Sequence, residues 1–329
     1  VLVFCLIAGC ATAVVDEIQP PTSDYLQRDA VQSFIEEMVS EGFERSDLEQ
    51  VFVEAEYQQG IIDAISRPAE RVLTWDSYQD IFLTERRLRE GRAFVEMHQE
   101  TFARAEGTYG VPTEVIAAII GVETSYGRIK GKHRVIDALS TLAFDYPPRS
   151  KFFRSELKEF FYLVREEQKS ALEPVGSYAG AMGYGQFISS SYRNYAVDFD
   201  GDGIRDIWNN PVDAIGSVAN YLARHKWQAG EPIVVRVDGE FDGSAELFNE
   251  SLRPSISLGA LEQLGLITGL NRSLEELVSP MRLQGKKGDE FWIGFNNFYV
   301  ITRYNHSKLY AMAVFQLSEQ IRTATNSAA

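Results

Sequence analysis

The chain has 329 residues, enough for one large domain or two ordinary ones. With 45% hydrophobic, 12% aromatic and 24% charged residues it has the composition of a packed globular protein, which excludes disordered, collagenous and coiled-coil classes. Lys plus Arg number 32 against 47 Asp plus Glu, a formal charge of −15 and the wrong sign for neutralising phosphates, so no nucleic-acid partner is expected.

The chain opens on Val1 to Gly9 (VLVFCLIAG), an uncharged apolar run that fits the interior of a signal peptide. Leu6-Ile7-Ala8-Gly9-Cys10 resembles a bacterial lipobox, in which cleavage leaves a lipidated cysteine; an ordinary signal peptide or a frayed buried strand is the alternative. A membrane span needs roughly 20 apolar residues, and polar residues begin at Asp16, so acyl chains on Cys10 would anchor the protein rather than thread it. Ala11, not Asp, follows the cysteine; by resemblance to known lipoprotein sorting this implies the outer membrane. Residues 11–24 read as a tether. Cys5 and Cys10 are the two cysteines, so the body of the protein holds no disulfide, thiolate metal site or cysteine nucleophile.

From Tyr25 to about Ile65 the pattern is helical, with Val31, Phe34, Ile35 and Met38 on one face, and Ser46 reads as the N-cap of a second helix. Further helices are expected over 77–108, 112–125, 150–170 and 211–227. From about Glu231 to Gly288 the character changes: Pro232-Ile-Val-Val-Arg-Val alternates, and Gly243, Pro254, Gly259, Gly265, Gly269 and Pro280 punctuate short segments, as in a small α+β insert. The tail 290–322 returns to helix. The expected organisation is therefore a helical domain over 25–75, a core over 76–230, an insert over 231–289, and a return to the core over 290–329.

The segment from Pro112 to Gly127 carries the strongest chemical signal. Pro112 suits a first helical turn and Gly127 a left-handed cap. Glu123 continues the apolar stripe of Ile116, Ile119 and Ile120, so it faces the interior or a cleft wall. An isolated buried carboxylate responds with a raised pKa, the state a general acid needs. A helix-end Glu paired with Arg128 or Arg134 is the alternative.

Glu123-Thr124-Ser125-Tyr126-Gly127 resembles the E-S/T-x-Y/F-G signature of lytic transglycosylases with a lysozyme-like core. The stretch Gly176 to Phe187 (GSYAGAMGYGQF) is similar to that superfamily's G-x-M-G-x-x-Q-F segment. Its glycines demand a sharply turned backbone, and Gln186 offers a donor and an acceptor to a sugar. A merely tight structural loop is the alternative.

Asp198-Phe-Asp200-Gly-Asp202-Gly203-Ile204 matches the front of an EF-hand loop, with Asp198, Asp200 and Asp202 as carboxylate ligands and Ile204 as a carbonyl ligand. Position 12 is Asn209 in place of a bidentate Glu, so Asp213 is the candidate closing acid and Asp206 an auxiliary one. Ca2+ suits such a loop better than Mg2+, and a lone site points to a structural ion. The loop resembles the single late-closing calcium site of the family B lytic transglycosylases; an acidic solvated turn is the alternative.

The segment Phe291 to Ala313 is dense in aromatics with Asn and Arg between them, a mixture suited to stacking and hydrogen-bonding sugars, although aromatic runs are also ordinary core. Its R-Y-N-x-S-x-x-Y-A-M-A-V run is similar to the family B C-terminal motif, and the match runs in order from about residue 25 to 320. By that resemblance Tyr78, Ser177, Gln186, Tyr221, Tyr304, Asn305 and Tyr310 contact substrate. Where the family shows two successive arginines this chain has Pro148 and then Arg149, so one contact is expected to be lost.

The resemblance implies a mainly α, lysozyme-like fold with an EF-hand-like loop, an added N-terminal helical domain and a small α+β insert. It implies a periplasmic enzyme, anchored by lipid to the outer membrane of a Gram-negative bacterium, with cell-wall synthesis enzymes as candidate partners. The expected reaction cleaves the β-1,4 bond between N-acetylmuramic acid and N-acetylglucosamine in peptidoglycan strands. Hydrolysis by a carboxylate pair needs a second acid roughly 5–9.5 Å away, and no second acid stands in a comparable motif. The resemblance implies that the substrate's own C6 hydroxyl closes a 1,6-anhydro ring, with Glu123 as acid and then base. A lysozyme-type hydrolase and a non-catalytic wall-binding lipoprotein are the rival readings.

Overall fold

The computed structural model describes residues 24–66, 73–237, 247–248, 251–265 and 270–326. The lipobox, Cys10 and nearly all of the expected tether lie outside them. The described chain begins with α1 (Asp29–Ser40), α2 (Arg45–Glu54) and α3 (Gln59–Ser66). α1 buries Val31, Phe34, Ile35 and Met38, the stripe its spacing dictates. α2 starts just before Ser46, whose hydroxyl donates to Asp47 instead of capping the helix.

The amphipathic run over 77–108 is divided into α4 (Trp75–Phe82), α5 (Glu85–Met97) and α6 (Gln99–Tyr109). Thr84 starts α5 by accepting a hydrogen bond from Arg87 N at 3.2 Å, and His98 sits between α5 and α6 in a non-helical conformation. α7 (Thr113–Thr124) follows Pro112, which occupies the cap and not the first turn. α8 (Val135–Asp145), which none of the expected helices covers, follows β1 (His133–Arg134) and is buried along most of its length. α9 (Ser150–Glu166), β2 (Val175–Gly176), α10 (Ser189–Tyr195) and α11 (Pro211–Arg224) complete this part. Asn210 accepts from Val212 N to cap α11, with Pro211 at its first position.

Tyr25 through Ile321 contribute to a single hydrophobic cluster. The first three helices share it: Phe34 packs against Phe144 and Phe161, Arg28 pairs with Asp145 at 2.8 Å, and Asp137 accepts from Glu56 N at 2.9 Å. Residues 25–66 therefore have no separate core, and the expected boundary at 75/76 falls at the start of α4.

The insert holds β3 (Val234–Val237), β4 (Ile256–Ser257), α12 (Leu258–Gln263), β5 (Leu277–Gly285) and β6 (Gly288–Gly294). The strands form an antiparallel sheet in the order β3-β6-β5-β4, with Ser279 and Val234 both opposite Gly294. Alternate residues face opposite sides. Val278 and Ile293 join a small cluster with Phe248, Leu258 and Leu261, while Met281, Leu283 and Trp292 enter the main core. Residues 290–294 are thus strand where helix was expected, and a boundary at 289/290 would cut β6. Helix resumes with α13 (Asn296–Tyr304) and α14 (Lys308–Asn326), and α14 packs along α7, α5 and α4.

Candidate active site

α7 is apolar on almost every side, with Val115 to Val122 buried, so the core fixes its axis and leaves Glu123, one residue before its end, half-buried. The chain then leaves the helix through Ser125, Tyr126 and Gly127 at φ of +49°, +59° and +85°. The left-handed exit begins at Ser125, two residues before the expected glycine cap. Non-glycine residues persist there only when their surroundings hold them. Thr124 Oγ1 accepts from Gly127 N and donates to Tyr184 O, both at 2.9 Å, while Arg87 Nη2 donates to Ser125 Oγ at 3.1 Å. A Cβ on Gly127 would lie 2.0 Å from the Tyr184 ring, so glycine is required by contact as well as by φ.

Opposite Glu123 stands a wall of tyrosines from α11, α13 and α14. Tyr310 donates its hydroxyl to Glu123 Oε1 at 2.7 Å. Tyr304 lies parallel to Tyr310, ring centroids 6.4 Å apart, and donates to Gly185 O at 2.5 Å. Tyr221 packs 4.7 Å from Tyr304 and donates to Arg303 O at 2.5 Å. Burial first, and then the charge of Glu123, pushes the phenols of Tyr304 and Tyr310 well above the ordinary tyrosine value. Both stay neutral donors around Glu123. The Tyr78 ring, buried on α4, packs 5.0 Å from the Phe82 ring.

The other expected substrate contacts vary in how they are held. Gln186, at φ +50°, donates from Nε2 to Gly183 O at 3.0 Å and Lys130 O at 3.3 Å, so its amide helps brace the glycine-rich loop. Ser177 Oγ accepts from Ala179 N and Ala181 N in the same loop. Asn305 is half-buried between α13 and α14, and its carbonyl accepts from Ser307 N at 2.7 Å. Arg149 is exposed ahead of α9 with its guanidinium 4.4 Å from the Phe152 ring centroid; among the described residues no contact joins it to the Glu123 cluster. Arg134, considered as a partner for Glu123, pairs instead with Asp137. Arg87, Thr124 and Tyr184 went unnoticed in the sequence, because each acts through a fold-dependent contact that no local spacing reports.

The acidic loop gathers Asp198, Asp200 and Asp202, each offering a carboxylate oxygen within 4.8 Å of the others. Loop amides turn inward to them: Asp198 accepts from Gly201 N and Gly203 N, and Asp202 from Ile204 N. The donor set is all oxygen and fits a hard cation such as Ca2+. Asp213 is not in that group. Fully buried on α11, it accepts from Phe199 N at 2.7 Å and Asp206 N at 2.8 Å, clasping the two ends of the loop. Burial raises its pKa. Asp206 caps Trp208 N and Asn209 N, and Ile204 is exposed.

Comparison with known proteins places this geometry. The family described as Transglycosylase SLT domain matches residues 26–319. Membrane-bound lytic murein transglycosylase B of Escherichia coli is 40% identical over 311 residues, covering 92% of this chain and 85% of that protein. The crystal structure of soluble lytic transglycosylase SltB1 from Pseudomonas aeruginosa superposes with a TM-score of 0.86 at 50% identity, covering 90% of this chain and 99% of its own. The Escherichia coli lytic transglycosylase SLT35 in complex with calcium gives 0.83 at 39% identity, covering 92% and 95%. These relatives carry the lysozyme-like fold, and this chain shares it.

Proposed function

The chain belongs to the Transglycosylase SLT domain family and is a peptidoglycan lytic transglycosylase, and from that premise we propose that Glu123 carries its chemistry alone, as acid and then as base. The observation behind this reading is the Tyr310 hydrogen bond to Glu123 Oε1. An oxygen that accepts is not the one that bears the proton, so the acidic hydrogen belongs on Oε2. From there it passes to the oxygen linking N-acetylmuramic acid to N-acetylglucosamine as the bond to C1 breaks. The substrate's 2-acetamido group stabilises C1. Glu123, now a carboxylate, takes the proton of the C6 hydroxyl, whose oxygen bonds to C1 and closes the 1,6-anhydro ring.

No second Asp or Glu stands in a motif comparable to that of Glu123, which favours ring closure over carboxylate-paired hydrolysis. Tyr78, Ser177, Gln186, Tyr221, Tyr304, Asn305 and Tyr310 would hold the sugars in the closing geometry and limit water, with Arg149 further out. Ca2+ bound by Asp198, Asp200, Asp202 and the Ile204 carbonyl would neutralise the loop's charge and fix its shape. Each Asp213 oxygen accepts one backbone N–H and keeps a lone pair, so Asp213 holds the loop and can also close that shell.

The membrane-bound relative supports a membrane-associated periplasmic protein; an acylated Cys10 as outer-membrane anchor and cell-wall synthesis enzymes as partners are proposed from the sequence motifs alone. No described helix is long and apolar enough to cross a membrane. The test is mass analysis of products from purified glycan strands. Wild type is expected to release anhydro ends, one water lighter than hydrolysis products, and Glu123→Gln to lose turnover by several orders of magnitude while still binding strands. Reducing ends, or an active Glu123→Gln, would overturn the reading.

A further inference from the structure

One imidazole packed against the tyrosine wall takes no part in the proton transfers. Tyr221 is buried, and its hydroxyl is committed to Arg303 O, the carbonyl just before Tyr304. Its ring is enclosed by other rings. Tyr304 lies 4.7 Å from it at 60°, Tyr195 4.8 Å at 69° and Phe187 5.8 Å at 45°. His225 stands nearer than any of these, its centroid 4.1 Å away and its plane within 22° of parallel.

His225 is half-buried and follows the last residue of α11, one turn beyond Tyr221. Tyr221 O accepts from His225 N at 3.1 Å and lies 2.8 Å from Nδ1. A carbonyl oxygen only accepts, so the proton sits on Nδ1 and the tautomer is set. Burial first, with the Arg303 charge adding to it and the Tyr221 bond opposing it, holds the imidazole below the ordinary histidine pKa and keeps it neutral. Tyr195 packs alongside, 5.0 Å away. A ring bonded at its edge and stacked on its face cannot turn without losing one of the two contacts.

From His225 the contacts run without a gap to the acid. Tyr221 meets Tyr304, Tyr304 lies parallel to Tyr310, and Tyr310 donates to Glu123. Through Arg303 O, Tyr221 also fixes the end of α13, so a shift of its ring moves the backbone that carries Tyr304 and leads into Asn305. Resting on the reading of Glu123 and its tyrosines given above, we propose that His225 is a positioning residue for the reaction. It backs the Tyr221 ring and so holds the tyrosine wall to Glu123, without touching the substrate itself. The flat face does this, and the N–H keeps that face aligned.

The experiment measures kcat, KM and Tm for His225→Ala and His225→Phe on purified glycan strands, at a temperature well below every Tm. His225→Ala removes the ring and is expected to lower kcat roughly threefold to tenfold, the value of one aromatic pair. KM should change little, because strand binding is shared among many contacts while the closing geometry depends on the wall. His225→Phe keeps the stack and should recover most of kcat. Combining His225→Ala with Tyr221→Phe should cost less than the product of the single losses, since both act through the place of α13. Should the alanine variant not fold, His225→Gln, which keeps a donor without the flat face, takes its place with the same expected loss. A lower Tm with wild-type kcat would mark His225 as ordinary packing and overturn the proposal. So would a loss confined to KM, a phenylalanine variant no better than alanine, or losses that multiply. If the wild type makes no anhydro ends, the reading of Glu123 fails, while a kcat lost in His225→Ala and restored in His225→Phe would still place His225 behind the wall.

Discussion

A single hydroxyl decides how Glu123 presents itself. The 2.7 Å bond from Tyr310 fixes one carboxyl oxygen as an acceptor and leaves the other for the substrate. Tyr310→Phe keeps the ring parallel to Tyr304 and removes only the donor. Hydrogen bonds to charged groups are worth about 1.5–3 kcal/mol, so kcat is expected to drop roughly tenfold to a hundredfold with an unchanged circular dichroism spectrum. An unaltered kcat would show that the hydroxyl does not position the acid. Glu123 itself was legible in the sequence, because three isoleucines at helical spacing point the same way and the surrounding motif is distinctive. Tyr310 is marked by resemblance only as a substrate contact; its bond to Glu123 is not legible in the sequence, since 187 residues separate the two.

At the scale of elements, the exit from α7 carries the strain that sets Glu123. Three consecutive residues take positive φ, held by Thr124, Arg87 and the Tyr184 ring. Gly127→Ala places a Cβ into that ring and imposes an unfavourable backbone, a cost of about 1–3 kcal/mol from the backbone alone. We expect a lower melting temperature together with reduced kcat, because the turn can relax only by moving the end of α7. A variant that kept both would refute the role given to the turn. The long amphipathic run over 77–108 reads as one helix because its period never lapses. The folded chain breaks it at Thr84 and His98 so that α4 and α5 can each meet α14. Periodicity reports which face is buried and is silent on where packing interrupts the axis. α8 escaped notice for the opposite reason. It is buried nearly all round, so its sequence has no polar face to mark the period.

For the whole molecule, the acidic loop and the shared core are the stabilising features with a testable link. The loop bridges α10 and α11, and Asp213 clasps its ends from inside the core. An ion that binds only the folded state at a hundred times its Kd adds about 2.7 kcal/mol. Ca2+ is therefore expected to raise the wild-type Tm by several degrees and to leave Asp202→Ala unmoved, with kcat at saturating substrate little changed in chelator. A Tm indifferent to chelation would remove calcium from the account.

The sequence by itself determined the local chemistry: the helix that carries Glu123, the turned glycine loop, the acidic loop, and the small insert with its Pro232 strand. Each is written in a short stretch whose residues answer to one another at a fixed spacing. Tertiary structure decided what meets what. It merged residues 25–66 into the main core, made 290–294 a strand by pairing β6 with β3 and β5, and set Asp213 to clasp the loop instead of joining the three acids. Such contacts depend on distances between segments far apart in the chain, and these are fixed only when the apolar faces have packed.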